Sequence, residues 1–401
     1  MAWVASDPRF AAGPPRRPGW RLSWNDPRTR NLVLQALAIG VVVLALWYLV
    51  GNAGRNLAAR HIATGFAFLH RVAGIPIAEQ PIPYDPANST FARALLEGVL
   101  NTLKVSVVGI VLATILGTLI GIGRLAPNWL LSRLAAVYVE VLRDVPLLLQ
   151  LLFWYTLLQT LPPPRQALHL GPTFLSNRGF RLPVLVWQAP HSWALLACLL
   201  GIVLGVLWAR HARARQDATG MRPPVWPVAL ALVIGLPVAV WAILGAPLAF
   251  DMPVRKGFGF TGGAAISPEY AALLAGLVIY TAAYIAEIVR AGIEAVPRGQ
   301  WEAAGALGLR RGAALRMIVL PQALRVIIPP MTSEYLNLTK NSSLAVAIGY
   351  QDIVSIASTT LNQTGQAIEG IAIIMAVYLV ISLSISLFMN WYNARVALVE
   401  R

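Results

Sequence analysis

The chain alternates between long apolar runs and shorter polar segments that contain glycine and proline. Eight runs cover residues 32–50, 99–122, 134–160, 192–209, 225–245, 270–292, 326–348 and 367–390. At about 1.5 Å per residue, a helix of roughly 20 residues crosses a hydrocarbon core of about 30 Å, and only the run 192–209 is short for this. The pattern therefore predicts an all-α, polytopic integral membrane protein with about eight transmembrane helices.

The composition supports a membrane protein. Hydrophobic residues make up 57% of the chain and charged residues only 12%, whereas soluble proteins carry about 25% charged residues. The formal net charge is +15, but the basic residues are almost all arginines in segments between apolar runs. This distribution is typical of membrane topology signals, so we expect contacts with a lipid bilayer and none with nucleic acid.

The positions of the basic residues also predict the orientation. With a cytoplasmic N-terminus, 20 of the 32 Lys and Arg residues lie on the cytoplasmic side, nine lie on the other side and three fall within spans. The cytoplasmic excess predicts that both termini are cytoplasmic. On the outer side, the segments 51–97 and 161–190 contain prolines and polar residues that exclude spanning, and we interpret them as surface loops.

Two G-x-x-x-G matches lie within apolar runs, GTLIG at 117–121 and GIVLG at 201–205. Small residues at this spacing permit close helix contact, but glycine is common in transmembrane helices. Whether either match lies at a helix interface is open from the sequence.

The sequence offers little for metal, disulfide or phosphate chemistry. Cys198 is the sole cysteine and the five histidines fall in predicted loops, so we expect neither a disulfide framework nor a metal site. A Walker A loop needs G-K-[ST], because glycine amides and the lysine hold the phosphates. None of Lys104, Lys256 and Lys340 follows a glycine. We therefore expect that this chain binds no cofactor and that any ATPase is a separate polypeptide.

A polar, glycine-rich segment interrupts the apolar pattern on the predicted cytoplasmic side. It reads EAAGALGLRRGAALRMIVLPQA from Glu302. Pro297 favours the start of a short helix, while Gly308 and Gly312 permit a turn. A second helix is expected to enter the membrane after Pro321, because proline interrupts helical hydrogen bonding.

The spacing in this segment resembles a known motif. It follows the order E-A-A, three residues, G, nine residues and I-x-L-P, which is the coupling motif of permease subunits of binding-protein-dependent ABC importers. In that family the short helix sits in a groove of the ATP-binding subunit and transmits nucleotide-driven closure. The resemblance implies an ATPase-coupling role for Glu302, Ala303, Ala304, Gly308, Leu320 and Pro321.

Further segments resemble permeases of the polar amino acid uptake family, in particular those of general L-amino-acid and glutamate/glutamine/aspartate/asparagine importers. They are LRDVPLLLQLLFWY, YTAAYIAEIVRAGIEAVPRGQWEAAGALGL and LPQALRVIIPPMTSEYLNLTKNSSLA. The resemblance implies a five-helix type I permease core in a bacterial inner membrane. It also implies four kinds of partner: a second homologous permease subunit, two ABC ATPase subunits that bind ATP and Mg²⁺, a periplasmic amino-acid-binding protein and an amino acid substrate.

The resemblance divides the chain into five parts. The permease core is expected in residues 93–160 and 268–395, the latter containing the coupling loop 296–325. The remaining parts are the N-terminal tail, first helix and outer loop of 1–92, an insertion of 161–267 with two extra helices, and a cytoplasmic tail of 396–401.

Polar residues within two spans are candidates for a solute path, because charges in a bilayer usually face a partner or an aqueous cavity. In the sixth span, Tyr280, Tyr284, Glu287 and Arg290 share a helical stripe. Glu287 suits a substrate ammonium, but an intrahelical Glu287–Arg290 pair that only stabilises packing fits equally. In the seventh span, an ammonium, amides and hydroxyls suit a substrate carboxylate or inter-helix hydrogen bonds. These candidates are Asn337, Lys340, Asn341, Ser342 and Ser343.

In the third span, Glu140, Arg143 and Asp144 lie at i, i+3 and i+4, and an internal ion-pair cluster is the simpler interpretation.

The leading functional hypothesis is the permease subunit of an ABC importer for polar L-amino acids, with no ATPase site of its own. An importer of another small polar solute, such as an opine, remains an alternative. Less favoured are an ion-coupled secondary transporter and a membrane-embedded enzyme.

Overall fold

The computed structural model describes residues 27–59, 64–221, 223–257 and 259–396. Its helices are α1 Pro27–Ala59, α2 Phe91–Arg124, α3 Trp129–Asp144, α4 Leu147–Gln159, α5 Ala189–Thr219, α6 Trp226–Leu230, α7 Leu236–Ile243, α8 Pro268–Glu294, α9 Arg298–Ala306, α10 Arg311–Ala314, α11 Leu320–Asn341, α12 Ile353–Thr364 and α13 Ala367–Val396. Turns of 3₁₀ helix cover Phe66–His70, Pro164–Gln166 and Ser342–Ile348. π-Helical turns cover Ala231–Gly235 and Leu315–Val319. Most of the predicted tails, residues 1–26 and 397–401, lie outside the described residues.

Seven helical segments of the described chain are long and apolar enough to cross a membrane. They are Thr29–Asn56, Phe91–Arg124, Ala189–Thr219, Trp226–Ile243, Pro268–Glu294, Gly312–Ile348 and Ala367–Arg395. The polytopic helical prediction is confirmed. The third predicted span, 134–160, differs: it is divided into α3 and the shorter apolar α4. Pro146 causes the break, since proline lacks an amide hydrogen and its ring clashes with the preceding helical turn.

The fold is mainly helical, as predicted, but short β-strands occur in the outer segment 161–190, which was expected to be a surface loop, and in residues 250–266. They are β1 Leu168–Leu170, β2 Thr173–Ser176, β3 Gly179–Leu182, β4 Val184–Leu185, β5 Phe250–Asp251, β6 Val254–Lys256, β7 Gly259–Thr261 and β8 Ala264–Ile266. One antiparallel sheet has the order β1-β2-β3-β8, while β4 pairs with β5 and β6 with β7. Phe180 pairs with Ile266, so the sheet joins the two ends of the insertion. Strands of two to four residues carry too few alternating positions to be evident in the sequence.

The core is built around α8, which packs along α2 and is also covered by α4 and α11. Glycines set the closest approach between α2 and α8. A Cβ atom on Gly117 would lie 2.7 Å from Ile285 Cβ, and one on Gly121 would lie 2.7 Å from the Ala286 carbonyl oxygen. Both distances are shorter than van der Waals contact, so the first G-x-x-x-G match lies at a helix interface.

The insertion forms a helical hairpin in which α5 packs against α6, the π-turn and α7. The second G-x-x-x-G match lies at this contact, because a Cβ on Gly201 would come within 2.0 Å of the Leu232 carbonyl oxygen. Trp208 Nε1 donates a hydrogen bond to the Pro224 carbonyl oxygen at 3.2 Å and holds the connection between the helices. Residues 161–267 thus contain two helical segments that are long and apolar enough to cross a membrane and that pack as a pair.

A polar network ties the segment before α2 to the N-terminal half of α2 and to the start of α8. Glu79 forms an ion pair with Lys104 at 2.7 Å and accepts a hydrogen bond from the Ser267 backbone amide at 2.9 Å. Asn101 Nδ2 donates to the carbonyl oxygens of Glu79 and Gln351, each at 3.0 Å. Lys104 is thus paired within the N-terminal half of α2, and the expected surface loop is partly a packed cap.

Helix α12 was missed from the sequence, because it is short and follows directly on the seventh predicted span. Its N-cap is Asp352, which is fully buried and accepts a hydrogen bond from the Ser355 amide at 2.8 Å. Tyr378 Oη donates to the other carboxylate oxygen at 3.4 Å. Burial raises the pKa of Asp352 from 3.8 to about 7, since a low-dielectric environment disfavours the charged form.

This pKa shift predicts a pH-dependent stability. Between about pH 4 and pH 7 the carboxyl ionises in the unfolded chain but stays protonated in the folded one, so the unfolding free energy falls as pH rises and levels off above about pH 7. Asp352→Asn keeps an oxygen for the cap and removes the titration. We expect the stability of Asp352→Asn relative to the native chain to rise by up to a few kcal/mol from pH 4 to pH 7, measured by thermal unfolding in detergent.

The matched control for this prediction is Asp217→Asn, which changes an exposed carboxylate on α5. Its unfolding should follow the native pH profile. Parallel pH profiles for the native chain and Asp352→Asn would show that the Asp352 carboxyl does not carry the dependence.

Candidate functional site: the coupling loop and the polar residues of the spans

The predicted coupling segment folds as a short helix with one anchored face. Helix α9 begins directly after Pro297, as predicted. Trp301 packs against the hydrophobic core and Ala304 is 1% exposed, whereas Glu302 and Ala303 are exposed. The residues of the motif therefore differ in exposure, because Ala304 is buried beneath the helix while Glu302 lies at its surface.

Gly308 supplies the turn that follows α9. Its φ of +72° lies in the left-handed region, which residues with a side chain adopt at a cost. A Cβ built on Gly308 would meet nothing within 4 Å. The glycine is thus required by the backbone conformation and not by crowding. The predicted glycine-permitted turn is confirmed.

The second helix begins earlier than predicted. It starts at Arg311 as α10 and continues through the π-helical turn into α11, so Pro321 lies inside a continuous helical run. The π-turn directly before Pro321 widens the hydrogen-bond spacing and lets the chain pass a residue that has no amide hydrogen. Leu320 is exposed and Pro321 half-buried.

These elements enclose an open groove of about 650 Å³. It is lined by Trp301, Glu302, Gly305, Leu309, Gly312, Ala314 and Leu315. Small residues at Gly305 and Gly312 leave the backbone accessible on both sides, and Glu302 places a carboxylate at the rim. The groove is thus a concave surface with one carboxylate at its rim.

At the same end of the bundle, Glu287 is held by two arginines. It pairs with Arg290 in its own helix, at 3.2 Å from Arg290 Nε, and with Arg124 at the end of α2. Arg290 also pairs with Glu294. The intrahelical pair considered from the sequence is present. Its second partner, Arg124, was missed, since nothing in the sequence relates two residues 163 positions apart.

The predicted carboxylate-binding residues at the end of α11 are only partly available. Ser342 is buried and donates to the Thr339 carbonyl oxygen, and Ser343 donates to the Lys340 carbonyl oxygen, each at 2.7 Å. Asn337 and Lys340 are exposed and Asn341 is half-buried. The helix changes to 3₁₀ geometry at Ser342 and does not open into a loop. The solute-path role of these residues stays a prediction.

The ion-pair cluster expected at the end of α3 is wrong. Among the residues that the structure describes, no ion pair joins Arg143 to Glu140 or Asp144. The Arg143 guanidinium instead lies over the ring of Tyr284, 5.0 Å from its centroid. The i, i+3 spacing allowed a local pair, but the side chain extends to the neighbouring helix, where the aromatic ring attracts the cation.

Comparison with known proteins decides the family. Residues 223–398 match the family described as binding-protein-dependent transport system inner membrane component. The chain is 50% identical over 388 residues to the general L-amino acid transport system permease protein AapQ of Rhizobium johnstonii, covering 96% of each chain. It is 42% identical over 429 residues to the glutamate/glutamine/aspartate/asparagine transport system permease protein BztB of Rhodobacter capsulatus, covering 98% of this chain and 100% of the relative.

The chain belongs to this family of permeases. A putative amino-acid ABC transporter permease protein, YhdX of Escherichia coli, is also 50% identical over 383 residues and covers 95% of this chain and 97% of the relative. The resemblance stated from the coupling motif is therefore confirmed, and the chain is a multi-pass membrane permease of the ABC importer type. Because these relatives are matched over nearly their whole length, the insertion 161–267 lies within the region of similarity.

Proposed function

We propose that this chain is the transmembrane permease subunit of an ATP-driven importer that moves polar L-amino acids across a bacterial inner membrane. The observation that carries the proposal is the 50% identity over 96% of the chain to a general L-amino acid permease. The alternatives of a secondary transporter and a membrane-embedded enzyme lose support from the same relatives. An opine or another small polar solute stays the alternative substrate.

The coupling role is proposed for Glu302, Ala303, Ala304, Gly308, Leu320 and Pro321. The exposed face of α9 would dock into a groove of a partner ATPase, and movement of this helix would pass to α8 and α11 through Trp301 and Ala304. The groove, the anchored face of α9 and the left-handed turn at Gly308 support this role. ATP and Mg²⁺ would be bound by that partner, since this sequence contains no G-K-[ST] motif.

The proposed assembly contains a second homologous permease, two ATPase subunits and a periplasmic amino-acid-binding protein, with both termini of this chain in the cytoplasm. The solute-path proposal covers Glu287, Arg290, Asn337, Lys340, Asn341, Ser342 and Ser343. For each residue, two measurements on a single-residue variant test the role: the rate of amino acid transport and the assembly of the complex. Lower transport by a fully assembled complex supports the role.

Reconstitution tests the function directly. The chain is co-expressed with the permease, ATPase and binding-protein genes adjacent to its own, and the complex is placed in liposomes with ATP inside. We expect the loaded binding protein to stimulate ATP hydrolysis and uptake of labelled L-glutamate, L-glutamine and L-alanine. Uptake of octopine alone would replace the amino acid assignment, and uptake driven by an ion gradient without ATP would contradict the importer class. A Walker-lysine variant of the ATPase serves as the control.

A further inference from the structure

Two segments at the ends of the insertion form a small β-module with a strong positive charge. The β-module comprises residues 164–186 and 250–266, which contain the strands β1 to β8. Its basic residues are Arg165, Arg178, Arg181, Arg255 and Lys256. Asp251 is the single acidic residue in these two segments, so their formal net charge is +4. The Asp251 carboxylate accepts a hydrogen bond from the Gly263 backbone amide at 3.0 Å and is thus held inside the β-module.

The β-module lies at the opposite end of α8 from the coupling helix. Helix α8 begins directly after β8 and ends shortly before α9. Its 27 residues correspond to about 40 Å at 1.5 Å per residue. Since the coupling helix is proposed to lie in the cytoplasm, the β-module lies at the outer face of the membrane. Basic residues are disfavoured on that side, so topology does not account for five of them in one small module.

The four-stranded sheet of the β-module has an apolar face that is turned toward the membrane helices. Residues paired across neighbouring strands share a face of a sheet. One such row consists of Leu168, Leu175, Phe180 and Ile266. Phe180 and Ile266 also line an apolar groove of about 340 Å³ together with residues of α2 and α8. The other face of the sheet is therefore turned away from these helices.

The β6–β7 hairpin packs on this second face and places a guanidinium there. The adjacent row of the sheet consists of His169, Phe174 and Arg181. The rings of Phe174 and Phe260 are 4.9 Å apart, and Arg255 Nη2 lies 3.2 Å from His169 Nε2. Because a guanidinium has only donors, it donates this hydrogen bond to the histidine. These contacts hold Arg255 on the side of the sheet that faces away from the membrane helices.

Lys256 extends the positive charge to the outside of the hairpin. It follows Arg255 in β6, and successive side chains of a strand point to opposite faces. Because Arg255 points toward the sheet, Lys256 points away from it. Both residues are exposed. Within the described ranges, no ion pair up to 4.0 Å involves Arg178, Arg181, Arg255 or Lys256. The β-module thus presents positive charge that the chain itself does not neutralise.

The placement of this charge favours a soluble protein over lipid as its partner. The apolar face of the sheet borders the membrane helices, whereas Arg255 and Lys256 lie on the far side of the sheet. A protein with an acidic surface matches both the position and the sign of the charge, and complementary charges accelerate its encounter with the permease. In the proposed importer, the soluble partner on this side is the periplasmic binding protein.

We propose that the β-module is a docking surface for an acidic patch on the periplasmic binding protein, with Arg255 and Lys256 in the contact. The inference rests on the proposed function and assigns a surface to one of its partners. Because salt screens exposed charges, docking to the native importer weakens as ionic strength rises, and this dependence becomes smaller when the basic residues are removed.

The first test measures ATP hydrolysis by the complete reconstituted importer at increasing concentrations of loaded binding protein. In Arg255→Glu and Lys256→Glu, we expect the half-saturating concentration to rise at least about fivefold, because like charges then face each other. The maximal rate should stay within about twofold of the native value, since the ATPase is unchanged. Arg213→Glu is the matched control, because Arg213 is exposed near the other end of α5. It should change neither quantity.

The second test uses the scarcity of lysine in this chain, which contains only Lys104, Lys256 and Lys340. A water-soluble carbodiimide joins an amine to a carboxylate only when the two groups are in contact. We expect an amide crosslink between Lys256 and an Asp or Glu of the binding protein. Lys256→Arg keeps the charge and removes the amine, so it should keep the native half-saturating concentration and lose the crosslink.

The docking surface is refuted if both charge reversals leave the half-saturating concentration unchanged, or if the native importer gives no crosslink at Lys256. It is also refuted if the defect of Lys256→Glu disappears in liposomes of phosphatidylcholine alone, since the β-module would then bind the anionic headgroups of phosphatidylglycerol-containing liposomes. A native complex that imports no amino acid with any loaded binding protein would instead refute the proposed function, so the two failures are distinguishable.

Discussion

Replacing Gly308 with valine is expected to reduce amino acid uptake by the reconstituted importer at least tenfold. The φ of +72° at this position costs a residue with a side chain about 1–2 kcal/mol, and a β-branched residue more. The chain relieves this strain by leaving the left-handed region, which changes the angle between α9 and α10. Since Glu302 and Leu309 lie on opposite sides of Gly308 and both line the groove, the docking surface is lost.

The measurement is co-purification of the ATPase subunit together with stimulated ATP hydrolysis. We expect Gly308→Val to lose both while the permease still inserts into the membrane. Gly308→Asn should be intermediate, because asparagine tolerates the left-handed region better than other residues. Gly299→Ala is the matched control, since Gly299 lies in α9 outside the groove and a Cβ there meets nothing within 4 Å.

Native uptake by Gly308→Val would show that the turn is not needed for coupling. Loss of uptake in Gly299→Ala as well would show that α9 tolerates no change, and the effect could then not be attributed to backbone conformation. Because a Cβ atom on Gly308 would meet nothing within 4 Å in this chain, a collision of that atom inside the permease does not account for a defect.

The sequence was most informative where one physical rule acts locally. Long apolar runs located the spans, because a bilayer requires them regardless of tertiary structure. Pro297 and Gly308 marked the start and the end of α9 through their own backbone preferences. The prediction was wrong at two other prolines. Pro146 breaks a helix that was predicted as continuous, and Pro321 lies inside a helix that was predicted to start after it.

The features that were missed depend on contacts between distant segments. Strand β3 pairs with β8 across the whole insertion, and α12 is fixed by its buried N-cap Asp352 and by its packing against the N-terminal half of α2. Arg143 has acidic neighbours at helical spacing, yet it contacts Tyr284 on another helix. Composition and periodicity describe single elements, so they identify which residues are chemically suited to a site but not which of them meet.

The sequence identifies Glu287 by its chemistry, whereas its contact with Arg124 is visible only in the structure. Replacing Glu287 by glutamine is expected to destabilise the protein strongly. Loss of the carboxylate leaves Arg124 and Arg290 as two like charges at one helix contact, and the Arg124 side chain is only 15% exposed. Removing one partner of a buried pair costs about 3–5 kcal/mol. Because Glu287 itself is 27% exposed, we expect about 1–3 kcal/mol, measured as a lower midpoint of thermal unfolding in detergent.

Glu294→Gln is the matched control, because among the described residues Glu294 forms an ion pair with Arg290 alone and its side chain is 52% exposed. Its cost should be below about 1 kcal/mol, as is usual for surface ion pairs. In the double variant Arg124→Gln/Glu287→Gln the loss should be smaller than the sum of the single losses, since the second change removes the unpaired guanidinium.

The opposite outcome would support the role predicted from the sequence. If Glu287→Gln unfolds like the native protein and hydrolyses ATP normally but transports at least tenfold less amino acid, Glu287 contacts the solute. In that case the arginines would hold the carboxylate in place for a passing ammonium, and the solute path would include the end of α8. If stability and transport fall together, the Arg124–Glu287–Arg290 network is a clamp between α2 and α8, and the solute contacts lie elsewhere in the permease.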